Sequence, residues 1–201
     1  MQQTQEIVST LTQKQLTDLT TVPGAISVQE VMLLHWLATQ VPDGCIVELG
    51  SFRGRSTAAL ALGSASANRV PVYAIEPHEV FTGVHGGKFG PQDRGGFFET
   101  MLKLGVFETV RLVNLSSEFL ANRWPHPVRL LWVDGDHSDA GVERDLNCWL
   151  PKLHPQAVIA FHDAADPAGA PARAILVLLA AGGWQTGPAV DLIRTIYRPG
   201  S

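Results

Sequence analysis

Five short runs rich in apolar and β-branched residues, each closed at once by a polar cluster, leave this chain little choice of architecture. They occupy 45–49, 71–75, 110–114, 128–133 and 157–161. Between them lie segments with helical spacing at 55–63, around 97–104, at 116–123 and at 140–150, and another follows at 171–181. Short buried strands alternating with amphipathic helices form a parallel sheet covered on both faces. Two closing strands are expected near 184–186 and 192–197.

The expected fold is thus a Rossmann-like, doubly wound α/β domain: a mostly parallel seven-stranded sheet with helices on both faces and an N-terminal helical extension. The first forty residues read as helix, through the loose spacing of Ile7, Leu11, Leu16 and Leu19. The capping box Ser27-x-x-Glu30 precedes Val31, Leu34 and Leu37. We therefore divide one domain into an extension, 1–41, that serves as a lid or a homodimer contact, and a binding domain, 42–201. A length of 201 residues suits a single core.

A net charge of −4 leaves no electrostatic footprint for nucleic acid or anionic membrane. Cys45 and Cys148 fall in apolar strand and helix runs and read as reduced core residues. The polar start Met1-Gln2-Gln3 is no signal peptide, so the expected location is the cytoplasm.

In parallel sheets ligands bind beyond the carboxyl ends of the strands. The polar clusters stand there: Glu48-Leu49-Gly50, Glu76-Pro77-His78, Asn114-Leu115-Ser116, Asp134-Gly135-Asp136-His137 and His162-Asp163. Gly50 and Gly54 bracket a turn into a helix, where free amides and the helix dipole favour an anion. A dinucleotide fingerprint needs glycine at the third and sixth positions, and Phe52 and Arg55 stand there instead. A phosphate loop needs four residues between its glycines and then lysine, whereas Arg55-Ser56 follows an interval of three. What remains is a turn that takes the carboxylate and amine of an amino-acid-like cofactor, with Glu48 supplying an anion for its cationic centre. Glu76, ending the next strand, suits the two hydroxyls of a ribose.

These residues resemble the class I S-adenosylmethionine methyltransferases. The stretch from Val47 to Thr57 is similar to the family's first motif and Tyr73 to Pro77 to its second. The resemblance implies S-adenosylmethionine as cofactor. It places Glu48, Gly50 and Ser51 near the methionine portion, Glu76 on the ribose, and Pro77, His78 and Ser116 beside the adenine; Gly54, Ser56 and Asp134 complete the expected cofactor-binding set.

The chemistry is carried by Leu131-Trp132-Val133-Asp134-Gly135-Asp136-His137-Ser138 and by His162-Asp163. If their strands are adjacent, these clusters face each other across the transferred methyl. Asp134, Asp163 and either His162 or Asp136 form a site for Mg or another divalent cation, which would acidify a substrate hydroxyl. His137 is the first choice for the general base, with His162 second and Asp134 beside them. The run Asp134 to Ser138, then Gly141-Val142, Asp145-Leu146, Trp149-Leu150-Pro151 and His162-Asp163, resembles the small-molecule O-methyltransferases related to macrocin O-methyltransferase. Several of these bind Mg through matching acids, with His162 here replacing the first acid of a pair. Asp145 and Trp149 read as a helix-surface acid and a core aromatic. In the long loop from Glu79 to Gly96, the candidate substrate contacts are Phe81, Lys88 and Phe89. The expected function is O-methylation of a small-molecule hydroxyl on a sugar or natural product. The alternatives are N-methylation and a non-catalytic cofactor-binding protein on the same fold.

Overall fold

The computed structural model describes residues 9–200, so Ile7 and the polar start lie outside the described residues. Two helices precede the sheet, α1 (Gln13–Thr21) and α2 (Val28–Thr39), each opened by a capping box, Thr12 with Gln15 and Ser27 with Glu30. A single helical reading does not hold here, because Pro23-Gly24 falls between them and neither residue propagates a helix.

The remaining elements are β1 (Cys45–Leu49), α3 (Arg55–Ser66), β2 (Val72–Ile75), the small hairpin β3 (Phe81–Thr82) and β4 (Lys88–Phe89), and α4 (Asp93–Leu104). There follow β5 (Val110–Val113), α5 (Ser117–Ala121), β6 (Val128–Val133), α6 (Asp139–Trp149), β7 (Leu153–Phe161), α7 (Ala170–Ala181), β8 (Gln185–Val190) and β9 (Ile193–Tyr197). The seven-stranded sheet runs β5-β2-β1-β6-β7-β9-β8. The first five strands are mutually parallel, and β9 and β8 close the edge antiparallel.

Two elements begin four residues earlier than their apolar patterns predict. The first turn of α4, Asp93-Arg94-Gly95-Gly96, has no apolar residue to signal it, yet the Asp93 carboxylate anchors it by accepting from Gly90 N (2.9 Å). In β7, the stretch from His154 to Gln156 is exposed or half-buried, so only its second half carries a buried pattern.

The side chains of β1 alternate between two cores, as pleating requires. Ile46 joins Leu19, Leu34, Leu60 and Met101 on the face covered by α1 to α4. Cys45, Val47 and Leu49 join Leu146, Trp149 and Ile175 on the face covered by α6 and α7. Side chains of the extension share that first core. Cys148 is half-buried, and neither cysteine is bridged. No helix among the described residues is long and apolar enough to cross a membrane.

Register decides where the polar clusters go. Val113 pairs with Ile75, Ile75 with Leu49, Leu49 with Val133 and Val133 with Phe161, so the five strands end in one row. The chain leaves β1 toward β2 and β5, then returns to place β6 on the other side of β1. That reversal opens a crevice above β1 and β6.

Candidate active site

Gly50 has φ +85, a left-handed conformation, and a Cβ on it would stand 2.3 Å from Asp134 O and 2.7 Å from Gly135 Cα. The ends of β1 and β6 therefore touch backbone to backbone. Beyond it, the amides of Ser51 and Phe52 both donate to Glu76 Oε2 (3.1 Å each), and His78 N donates to Oε1 (2.9 Å). Glu76 thus ties the glycine turn to the end of β2 before any ligand arrives. Gly54, also left-handed (φ +83), is the N-cap of α3 and packs against Met101 and Phe97.

His78 is buried. Its Nε2–H donates to Phe52 O (2.9 Å), and Nδ1 accepts from Asn114 Nδ2 (2.9 Å). The ring is a strut beneath the turn. Glu48 is also buried, and its carboxylate accepts from Thr57 Oγ1. It shares the face of Ile46, since positions two apart on a strand point the same way, and so faces α3. Burial raises its pKa to about 7, against the pull of the Ser56 and Thr57 hydroxyls.

An acid held above its ordinary 4.5 makes the folded state less stable as pH climbs from 4.5 to about 7. Glu48→Gln keeps the shape and removes the charge. It is expected to raise stability at pH 8 by up to about 3 kcal/mol and to leave it nearly unchanged at about pH 4. Denaturant unfolding at the two pH values measures this, and equal stability of the two proteins at pH 8 would mean that folding does not raise the pKa of Glu48.

At the other end of the crevice four groups interlock. His162 Nδ1 lies 3.1 Å from Asp134 Oδ1 and 3.5 Å from Asp163 Oδ1. His137 Nδ1 lies 2.8 Å from Asp163 Oδ2, and its Nε2 lies 3.5 Å from Asp134 Oδ1. Asp163 is left-handed (φ 49), which turns its carboxylate back toward His137. Burial works against charge on both imidazoles. Hydrogen bonds and charge from the carboxylates outweigh it, raising His137 to about 9 and His162 to about 10. Asp134 and Asp163 are held below their ordinary value by the same partners, against burial. The carboxylates thus favour the protonated form of both imidazoles.

Glu30 closes it from below. This buried carboxylate sits 3.7 Å from His162 Nε2 while accepting from Ser27 N (2.7 Å) and Leu192 N (2.9 Å). A capping-box acid normally faces solvent, and nothing in the spacing of Ser27 and Glu30 signals the second task.

A cleft of about 750 Å³ joins the two ends, a usual size for a small-ligand site. Of the residues expected around a cofactor, Gly50, Ser51, Ser56, Glu76, Pro77, Ser116 and Asp134 line it; Glu48, Gly54 and His78 stand behind its wall. His137, His162 and Asp163 line it too, as do Phe81 and Phe89, whereas Lys88 does not. Asp145 is a correction: it is buried and lines the cleft rather than a helix surface. Its place was legible, because positions 142, 145, 146 and 149 fall on one helical face. Another wall comes from Pro23 to Ile26, held by Arg55, which donates through Nε to Val22 O (2.7 Å) and through Nη1 to Ile26 O (2.8 Å).

A parallel sheet with a glycine turn after β1, an acid after β2 and an acid-histidine cluster after β6 and β7 defines an adenosyl-cofactor transferase. A family model described as a methyltransferase domain matches residues 47–164. The chain belongs to that family and is a class I methyltransferase that uses S-adenosylmethionine.

Solved structures agree on the fold. The chain is 15% identical to the SAH-bound methyltransferase PaMTH1 from Podospora anserina (TM-score 0.68, 93% of this chain and 87% of that one covered). It is 17% identical to an O-methyltransferase from Bacillus cereus in complex with SAH (TM-score 0.66, 94% and 93%). To the O-methyltransferase TomG from Streptomyces achromogenes, involved in tomaymycin synthesis, it is 16% identical (TM-score 0.66, 94% and 92%).

Proposed function

We propose that the enzyme methylates a hydroxyl of a small molecule, a sugar or natural product, with His137 as general base. One observation carries this. Asp163 fixes Nδ1 of His137 at 2.8 Å, while Nε2, buried at the wall of the cleft, has no hydrogen-bond partner. An imidazole held by one carboxylate at Nδ1, with Nε2 at the cleft wall making no hydrogen bond and 3.5 Å from Asp134 Oδ1, can take a proton there when it is neutral. The likeness to two O-methyltransferases, from B. cereus and S. achromogenes, supports an oxygen acceptor.

Bound S-adenosylmethionine supplies the electrophilic methyl group that the acceptor oxygen takes as its O–H proton leaves. Gly50, Ser51 and Ser56 would hold its methionine portion, and Glu76, Pro77 and Ser116 its nucleoside. Asp134 and the backbone beside Gly50 bring that turn against the base. Neutral His137 receives the acceptor's proton at Nε2, and Asp163 stabilises the imidazolium that results. Phe81 and Phe89, stacked at 6.0 Å with Phe52 edge-on to Phe89, offer the acceptor an apolar face at the rim.

The residues present fit a divalent cation. Asp134, His137 and His162 offer ligand atoms all within 4.8 Å of one another, and Asp163 adjoins them. Two imidazoles and a carboxylate suit first-row ions that accept nitrogen better than Mg, which prefers oxygen alone. Such an ion would acidify the acceptor hydroxyl.

Incubation with methyl-labelled cofactor and a panel of hydroxylated and aminated acceptors tests the reading. Label on oxygen with stoichiometric SAH is expected. Label on nitrogen alone, or thermal stabilisation by NAD but not by SAH, would sink it.

A further inference from the structure

The hairpin β3–β4 crosses the mouth of the cleft and carries His85 at its turn, a residue that neither the cofactor motifs nor the base assignment uses. His85 Nε2 lies 3.4 Å from Asp163 Oδ2, the oxygen that also faces His137 Nδ1 at 2.8 Å. One ring nitrogen from each histidine and one Asp163 oxygen lie within 4.8 Å of one another. A tetrahedral ion with metal–nitrogen bonds of about 2.0–2.1 Å spaces its ligand atoms roughly 3.3 Å apart, so the three already approximate three of its four coordination positions.

We propose that His85, His137 and Asp163 form a site for a borderline divalent ion, Zn²⁺ or Co²⁺, that pins the hairpin over the cleft and silences the enzyme. The site is distinct from the inner cluster. His137 faces Asp134 through Nε2 and Asp163 through Nδ1, so the two sets use opposite nitrogens of one ring. Two imidazoles and one carboxylate with open positions select nitrogen-accepting first-row ions over Mg²⁺ or Ca²⁺.

The hairpin is suited to such control. Its strands are two residues long and His85 at the turn is 75% exposed, so beyond the Phe52–Phe89 edge contact few packed contacts fix the turn. One ion bridging its turn to the end of β7 would decide whether the mouth is open. An ion on Nδ1 also replaces the Asp163 hydrogen bond that orients the base. That inhibitory consequence rests on the reading of His137 as base, but the site itself does not.

The test uses the full chain, stripped of metal with a chelator and titrated with Co²⁺. Binding is followed by the visible absorption of the ion and by calorimetry, and melting curves confirm folding. Wild type is expected to bind Co²⁺ with Mg²⁺ in large excess. His85→Ala and His85→Gln are each expected to weaken the affinity at least tenfold, or to lose one of two bound equivalents. Saturating Zn²⁺ should slow proteolysis within residues 80–90 of wild type but not of the variants.

Unaltered Co²⁺ stoichiometry and affinity in both variants would overturn the proposal, as would no binding to wild type. SAH titrated into the same metal-free samples reports on the methyltransferase reading separately. Loss of SAH binding alone would strike that reading and leave the ion site standing.

Discussion

Gly50→Ala is expected to abolish cofactor binding and to cost the fold about 2–5 kcal/mol. Its new Cβ would fall 2.3 Å from Asp134 O and 2.7 Å from Gly135 Cα. Both are backbone atoms at the end of a buried strand, so no side-chain rotation relieves the clash. Overpacking of this kind costs about 1–3 kcal/mol, and a left-handed alanine adds roughly 1–2 kcal/mol. The only escape is to move β1 from β6, which breaks the bond from Asp134 N to Leu49 O (2.9 Å) and swings Asp134 away from the cleft. Calorimetric titration with SAH and thermal unfolding measure both effects. A melting temperature fall of roughly 4–20 °C corresponds to that range for a chain of this length. Wild-type SAH affinity in a folded Gly50→Ala protein would mean that the turn is not the cofactor cradle.

His137→Ala is expected to lower kcat by about 10²–10⁴ with little change in SAH affinity. The more telling readout is the pH profile. With its pKa raised to about 9, His137 is a cation at pH 7 and only about 1% of it is competent as a base. The sign follows: activity must rise with pH, close to tenfold per unit, and level off near 9 in kcat/KM. Bound cationic cofactor disfavours the imidazolium, so the same limb should sit lower in kcat than in kcat/KM. In His137→Ala the limb should vanish and not merely shrink. A variant that keeps the limb would assign it to another group, with His162, raised to about 10, the next to replace.

How much of this was readable in advance varies by residue, for physical reasons. Strands β1 and β6 matched their apolar runs residue for residue, because a strand buried on both faces announces itself as a largely apolar sequence, broken here only by Glu48 and Arg129. The start of α4 did not, since its first turn is held by the Asp93 carboxylate instead of by apolar contacts. Glu48 was legible as an acid before a glycine turn. Its direction was not, because strand parity says which face it shares with Ile46 but not which face the cofactor approaches. Asp145 fell on the apolar stripe of α6 and could have been placed. His85 and Glu30 carry no such signal, for they reach the cluster from elements far away in sequence.

The amino-acid sequence by itself determined the doubly wound sheet, the row of polar strand ends and the glycine turn, all set by local periodicity and by glycine positions, and its resemblance to the methyltransferases implied the adenosyl cofactor. Only the tertiary structure decided how the chemical groups are used. Register brought Asp134 and His137 against His162 and Asp163, and the carboxylate neighbours favour the charged form of the two imidazoles in spite of their burial. The packing of α2 set Glu30 beneath His162, and the hairpin set His85 above Asp163. Charge states and cross-chain contacts depend on distances between segments that do not neighbour each other in sequence, and a linear pattern does not encode those distances.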